Sequence, residues 1–135
     1  MLDIKSYIRD KYTYELVHVE YQQIPGANET DEYSLRVHDE VQADVKQDTL
    51  CVLFTRKISF EPKGLSEIRV QYRVNLHFAD GVSQDEVQAI NWAEEIRNMR
   101  APFLTDVISR ASWILSSITA VSGQAPIITP PIIIN

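Results

Sequence analysis

The sequence has one cysteine, four glycines and no excess of positive charge. With Cys51 alone, the chain forms no internal disulfide, which fits a reducing compartment. The formal net charge is −6, and phosphate binding needs a basic patch, so neither nucleic acid nor an anionic membrane surface is an expected partner. The glycines form no phosphate-binding loop, because each lies near a predicted turn: Gly26, Gly64, Gly81 and Gly123.

Long uninterrupted hydrophobic runs are also absent. The N-terminal apolar positions are interspersed with Asp3, Lys5 and Arg9, so we expect no signal peptide. The most apolar region, residues 113–134, is broken by Gly123 and by prolines, so it is not expected to span a bilayer as a helix. We therefore expect a cytoplasmic protein whose 135 residues, 44% of them hydrophobic, form one domain over residues 1–135.

Alternation of apolar and polar side chains predicts β-strands over residues 13–78. In residues 33–46 the odd positions are apolar except for Asp39, where we expect a bulge or a bend. The same alternation recurs over residues 50–60 and 68–78. Glu61, Pro62, Lys63 and Gly64 lie between these two strands and suit a turn, so we expect the strands to be antiparallel neighbours.

An earlier strand is predicted over residues 13–23. Val17, Val19 and Tyr21 form its apolar side, and Leu16 lies on the polar side. The four strands together predict an antiparallel sheet with one apolar face, which another layer must cover.

A hydrophobic period of about 3.6 predicts helices over residues 83–121. Ser83 followed by Glu86 fits a capping box and predicts a helix from there to about Asn98. Pro102 suits the first turn of a second, strongly amphipathic helix. The predicted fold is therefore α+β: a four-stranded antiparallel sheet with C-terminal helices packed on one face.

The two ends of the chain are predicted separately. Residues 1–12 are interpreted as an N-terminal arm or a short helix. Gly123 ends the second helix, and residues 122–135 are expected to form an extended, proline- and isoleucine-rich tail that buries its isoleucines. The apolar inventory is large for one sheet and two helices, and exposed apolar surface of this kind marks an oligomer interface or a partner groove.

No group of residues predicts catalysis or a cofactor. His18, His38 and His77 lie on the polar sides of three strands, so a metal or small-ligand site that uses them stays open as the least favoured alternative. Glu94 and Glu95 point about 100° apart on a helix and form no acid–base pair. We expect no enzyme, no metal site and no cofactor.

Two motifs, combined with the order of the strands, resemble the SecB family of protein-export chaperones and the wider SecB-like group. One resembles the family's proline- and aromatic-led start of its main helix: Arg100, Ala101, Pro102, Phe103 and Leu104. The other resembles the proline-punctuated aliphatic stretch that follows this helix: Pro126, Ile127, Ile128, Thr129, Pro130, Pro131 and Ile132. The resemblance covers residues 13–135.

The chain departs from the family pattern in three places. Ile133 and Ile134 stand before Asn135, where the family usually continues with Asn and an aromatic residue. We expect the family's final, groove-lining helix to be missing. Arg69 and Arg73 on the polar side of the last strand oppose an acidic docking patch, which argues against direct delivery to the SecA motor.

The resemblance implies an ATP-independent holdase, assembled as a dimer of dimers, that binds unfolded or extended apolar segments of client proteins. Candidate client contacts, chosen for bulk and for lying near element ends, are Tyr21, Ile24, Phe60, Phe103, Trp113, Ile128 and Ile132. One alternative is a chaperone dedicated to a single partner, such as an antitoxin. Another is a structural oligomerisation module that binds no client.

Overall fold

Four antiparallel strands and three α-helices make up the part of the chain that the computed structural model describes, residues 3–26, 32–99, 101–123 and 125–134. A 3-10 helix at Ile4–Ser6 precedes the first strand. The strands are β1 (Ile8–Ile24), β2 (Ser34–Lys46), β3 (Thr49–Glu61) and β4 (Leu65–Phe78), and the helices are α1 (Gln84–Ala89), α2 (Trp92–Asn98) and α3 (Pro102–Val121). The predicted α+β fold is confirmed.

The sheet has the order β1-β4-β3-β2, so β1 and β2 are its edges. Strand β1 begins earlier than predicted, because Ile8 already pairs with Phe78 and Tyr12 pairs with Leu76. The predicted N-terminal arm is therefore a single 3-10 turn followed by the start of an edge strand. Met1 and Leu2 lie outside the described residues.

The helix-facing side of β3 and β4 forms the core, as the alternation predicts. Burial of one large aliphatic or aromatic side chain stabilises the folded protein by roughly 1.5–3 kcal/mol relative to leaving that side chain exposed. The buried core residues of the two strands are Leu50, Val52, Phe54, Ile58, Ile68, Val70, Tyr72, Val74, Leu76 and Phe78. The predicted turn is also confirmed, because β3 ends at Glu61 and β4 begins at Leu65.

The helical layer differs from the prediction in its first half. The single helix expected up to Asn98 is broken at Ile90, whose backbone is extended, and Asn91 caps α2 by accepting the Glu94 N–H at 3.3 Å. The capping box does not form: Ser83 makes no side-chain cap, and Glu86 instead accepts the Tyr7 hydroxyl at 2.7 Å.

Helix α3 agrees with the prediction. It starts at Pro102 and ends at Val121, and Gly123 follows with φ +92°. The buried side of α3 includes Leu104, Val107, Ile108, Ala111 and Leu115. Within the described residues, no helix is both long and apolar enough to cross a membrane.

Asp39 does not mark a bulge, so that expectation is wrong. The pairing of β2 with β3 runs without a break from Ser34 to Lys46, and Asp39 points into the protein because it pairs there with Arg56.

Irregularities lie in β1 instead, where the register with β4 shifts between Ile8 and Tyr12 and again between Leu16 and His18. Leu16 pairs with Tyr72 and Val19 pairs with Val70, so both lie on the helix-facing side of the sheet. The prediction that Leu16 faces the polar side is therefore also wrong.

Candidate functional site

The helix-facing side of β1 carries a row of exposed apolar side chains, which we call the β1 strip: Tyr14, Leu16, Val19 and Tyr21. Leu16 is 48% exposed and Val19 is 39% exposed. Their cross-strand neighbours on β4 are buried, namely Val74, Tyr72, Val70 and Ile68. The apolar face of the sheet therefore continues past the edge of the helical layer and remains open to solvent along β1.

The backbone of β1 adds directional groups to this surface. Strand β1 is 17 residues long, and among the described residues it pairs only with β4. Alternate N–H and C=O groups of an edge strand point away from the sheet and can pair with another extended chain. An extended segment lying along β1 would find backbone partners and an apolar strip side by side.

Helix α3 contacts the β1 strip at Tyr14. The Arg110 guanidinium lies over the Tyr14 ring at 4.5 Å, and the Tyr12 hydroxyl donates to Asp106 at 2.8 Å. That hydrogen bond raises the pKa of Tyr12. Trp113 lines a shallow depression beside Asp106 and Arg110 and is 72% exposed. A large aromatic side chain thus stands free on the β1 side of α3.

The opposite side of the sheet is polar. Arg73 pairs with Glu15 at 2.7 Å, and His18 lies 3.3 Å from Glu20. His38 and His77 lie on other strands. Across the described ranges, no group of three or more His, Cys, Asp or Glu side chains is placed to hold a metal ion.

A buried ion pair occupies the far side of α3. Arg56 on β3 and Asp39 on β2 are opposite each other in the register, and both side chains are fully buried. Arg56 Nε donates to Asp39 Oδ1 at 2.8 Å, and Arg56 Nη2 donates to Oδ2 at 2.7 Å. Two parallel charge-assisted hydrogen bonds of this kind fix the guanidinium plane.

The remaining donors of Arg56 hold the C-terminal tail. Nη1 donates to the Thr129 hydroxyl at 2.9 Å and to the Pro130 carbonyl at 2.7 Å, and Nη2 donates to the Ile132 carbonyl at 2.8 Å. The Ile134 N–H donates to Asp39 Oδ2 at 2.8 Å. The tail is therefore held largely through its main chain.

The prediction of an extended tail that buries its isoleucines is confirmed in part. It has no helix or strand over residues 125–134. Ile127 and Ile133 pack against the core, whereas Ile128 is 83% exposed and Ile132 is 55% exposed. Pro131, Ile132 and Ile133 wall a groove of about 410 Å³ whose opposite side includes Met99, Leu104 and Ile108.

The predicted contact residues fall into separate groups. Four are exposed, Tyr21 on the β1 strip, Trp113 on α3, and Ile128 and Ile132 on the tail. Ile24 and Phe60 are half-buried at the ends of β1 and β3. Phe103 is 5% exposed, and its ring packs against Tyr12 at 5.9 Å. Phe103 is therefore a core residue and not a surface contact, which corrects its choice. Arg100 and Asn135 of the resemblance lie outside the described residues.

Sequence reasoning missed Leu16, Tyr14 and Arg56. The β1 bulge that turns Leu16 inward leaves no mark in the alternation. Arg56, however, occupies an inward position between Phe54 and Ile58, and an inward Asp39 lies on the preceding strand. Two opposite charges at inward positions of neighbouring strands are a readable signal for a buried pair.

The fold is similar to that of a known chaperone. A solved structure of the SecB-like chaperone Rv1957 from Mycobacterium tuberculosis, in complex with a ChAD peptide from the Rv1956 HigA1 antitoxin, superposes with a TM-score of 0.63. The alignment covers 91% of this chain and 88% of that chain, at 10% sequence identity. No protein-family model and no curated protein matches the sequence. The likeness establishes a SecB-like fold.

Proposed function

We propose that this protein is an ATP-independent holdase chaperone that binds unfolded or extended apolar segments of client polypeptides. The observation that carries the proposal is the β1 strip, a row of exposed apolar side chains beside an unpaired strand edge. The SecB-like fold supports it, because the similar chaperone was solved with a bound peptide. On this proposal the protein is not an enzyme and needs no cofactor.

Binding follows from burial of client side chains on the strip. Removing apolar surface from water contributes about 25 cal/mol per Å² and depends little on sequence. Backbone hydrogen bonds along β1 add affinity without selecting side chains. The net charge of −6 keeps a loaded chaperone soluble and favours basic clients. The expected result is broad, moderate affinity for extended chains.

We also propose a homo-oligomer, assembled as a dimer of dimers, that works in the cytoplasm. Exposed apolar side chains also lie outside the β1 strip, such as Val17, Leu35 and Val121. Part of this surface is assigned to contacts between copies, and the rest to clients. The polar side of the sheet shows Arg73 paired with Glu15, so delivery to SecA through an acidic patch there is not part of the proposal.

A chaperone dedicated to one partner is the second candidate. The similar SecB-like chaperone binds a peptide of an antitoxin, which favours a function of the same kind here. Such a protein would bind one short segment selectively. The two candidates differ in selectivity, because a general holdase binds many unrelated unfolded proteins and a dedicated one does not.

Suppression of aggregation tests the proposal. Urea-denatured citrate synthase is diluted into increasing amounts of the protein without nucleotide, while light scattering records aggregation and, separately, the mass of the chaperone. We expect saturable suppression at a ratio that matches the measured oligomer. A well-defined oligomer that suppresses aggregation of no unfolded protein would contradict the general holdase. It would leave a dedicated partner or a purely structural oligomerisation module.

A further inference from the structure

The C-terminal tail is an apolar segment that makes several polar bonds to the rest of the protein. Arg56 donates to the Thr129 hydroxyl and to the carbonyls of Pro130 and Ile132, and Asp39 accepts the Ile134 N–H. Ile128 is 83% exposed and Ile132 is 55% exposed. Ile127 and Ile133 pack against the core, so the tail is held by apolar contacts at two residues and by the Arg56–Asp39 pair along its main chain.

Most of these hydrogen bonds are made to the main chain of an extended segment. The Pro130 carbonyl, the Ile132 carbonyl and the Ile134 N–H alternate along the tail, so one edge of the segment faces the Arg56–Asp39 pair. Thr129 adds a side-chain contact, because its hydroxyl accepts from Arg56. The same hydroxyl lies 2.8 Å from the Ser112 hydroxyl. A second extended chain offers the same carbonyls and amides, because main-chain groups do not depend on sequence.

The tail also forms one side of an apolar groove. Pro131, Ile132 and Ile133 form one wall of the groove of about 410 Å³ beside Met99 and Leu104. Departure of the tail would remove this wall and would open the Arg56–Asp39 pair to another strand. Both ions would regain water at that moment, which lowers the cost of release.

We propose that the tail, residues 125–134, occupies in cis a main-chain binding site that an extended, proline-interrupted aliphatic segment of a client takes in trans. This inference rests on the proposed function and adds a second client subsite across α3 from the β1 strip. The chemistry of the present occupant defines the ligand class: an extended chain without charged side chains, presenting carbonyls at alternate residues to Arg56. The tail thereby sets the apparent affinity for clients.

A reversible crosslink tests the exchange. The hydroxyl oxygens of Ser112 and Thr129 are 2.8 Å apart, so cysteines at both positions can form a disulfide with its S–S bond of about 2.0 Å. The variant Ser112→Cys/Thr129→Cys is made in a Cys51→Ser background, with Ser112→Cys in the same background as the control. Circular dichroism and thermal melting establish that both oxidation states are folded.

Two probes are then titrated by fluorescence anisotropy, a labelled peptide of residues 125–134 and carboxymethylated α-lactalbumin, which stays unfolded without reductant. We expect oxidation to weaken binding of the tail peptide by about tenfold or more, because locking removes the binding-competent state of its site. Binding of α-lactalbumin should weaken less, because the β1 strip stays available to it, and reduction should restore the binding of both probes. The single-cysteine control should bind equally with and without reductant.

The outcomes separate this inference from the proposed function. Equal binding of both probes in both oxidation states would overturn the exchange and leave the holdase intact. Failure of α-lactalbumin to bind in either state would count against the holdase, while the tail peptide would still decide the exchange. Disulfide-linked dimers would overturn the client assignment and show that the tail is exchanged with a second copy.

Hydrogen exchange on the unmodified protein gives a second test that needs no crosslink. The Ile127 N–H donates to Thr119 at 2.9 Å, and the Ile134 N–H donates to Asp39. We expect carboxymethylated α-lactalbumin or the tail peptide to accelerate exchange at both amides, because each loses its acceptor on release. Slower exchange at both amides would mean that the probe covers a docked tail, which contradicts displacement.

Discussion

Arg56 and Asp39 form a bidentate ion pair, with donor–acceptor distances of 2.8 and 2.7 Å and no exposed surface on either side chain. The pair joins β2, β3 and α3 to the tail, since Ser112 and Thr129 accept from the same guanidinium. A buried pair of this kind is strongly destabilising to break, because the remaining charge stays buried without a partner. The polar centre of this protein is therefore also its tail anchor.

Removal of one member of the pair should destabilise the protein more than removal of both. We expect Arg56→Met to lower the free energy of unfolding by about 3–5 kcal/mol, because Asp39 then lacks its counter-ion. The matched control is the double variant Asp39→Leu/Arg56→Met, which should recover much of that loss. Urea unfolding measures both. A single variant within about 0.5 kcal/mol of the parent protein would show that the pair is not buried as described.

The β1 strip can be altered without touching the core. Leu16→Thr/Val19→Thr places β-branched threonines, which suit an edge strand, at both positions but removes apolar surface, so we expect client affinity to fall by about tenfold or more. Thermal stability should change little, because both side chains are substantially exposed. Affinity for carboxymethylated α-lactalbumin provides the measurement.

The control for the strip lies on the same strand. Thr13 and Gln22 face the polar side of the sheet, opposite Asn75 and Glu67. Thr13→Ser/Gln22→Thr should therefore bind the client like the parent protein. Equal losses in the two double variants would mean that strand integrity, and not the apolar row, governs binding.

The two tryptophans should report on different parts of the molecule. Trp92 is 3% exposed and donates from Nε1 to the Val87 carbonyl at 2.8 Å, whereas Trp113 is 72% exposed. In Trp92→Phe, the remaining emission should come from solvated Trp113 and shift to shorter wavelength when an unfolded client without tryptophan binds. In Trp113→Phe, emission should stay unchanged on binding. A shift in Trp113→Phe alone would place the contact away from the β1 side of α3.

Tyr72 predicts how stability falls at alkaline pH. Burial raises the pKa of the Tyr72 phenol, and nearby Arg110 opposes that rise. The neutral phenol is favoured in the folded protein, so this contribution is complete below the unfolded pKa of about 10 and is lost as pH rises through the higher folded pKa.

Unfolding free energies measured between about pH 8 and about pH 11 should therefore fall less steeply for Tyr72→Phe than for the parent protein. The difference isolates Tyr72 from the lysines and the other tyrosines that titrate in the same range. Parallel curves for the two proteins would contradict a raised pKa at Tyr72.

The sequence predicts the layers of this fold well, because inward positions on β3 and β4 are nearly all aliphatic or aromatic. Helix α3 is equally readable from Pro102, Gly123 and the spacing between them. The break at Ile90 is harder to predict from the sequence. Asn91 can cap a helix only where the preceding residue is extended, as Ile90 is here. Local patterns thus predict elements better than their interruptions.

The candidate site is less predictable because tertiary geometry decides which side chains stay exposed. The shift after Leu16 in β1 puts that residue on the apolar face, and no periodicity encodes it. Phe103 is bulky and lies near a helix end, yet it packs under Tyr12. Bulk and a position near an element end therefore select exposed residues such as Tyr21 and Trp113. The same two criteria also select a buried residue, Phe103, so they do not distinguish surface from core.

Amide hydrogen exchange along β1 tests the central claim most directly. Carboxymethylated α-lactalbumin is added to the protein, and exchange is compared between β1 and the interior strand β3. We expect the client to slow exchange in β1 around Leu16 and Val19, where edge amides gain a partner, and to change exchange in β3 little. Unchanged exchange across β1 while the client is bound would contradict the β1 strip as the client-binding surface.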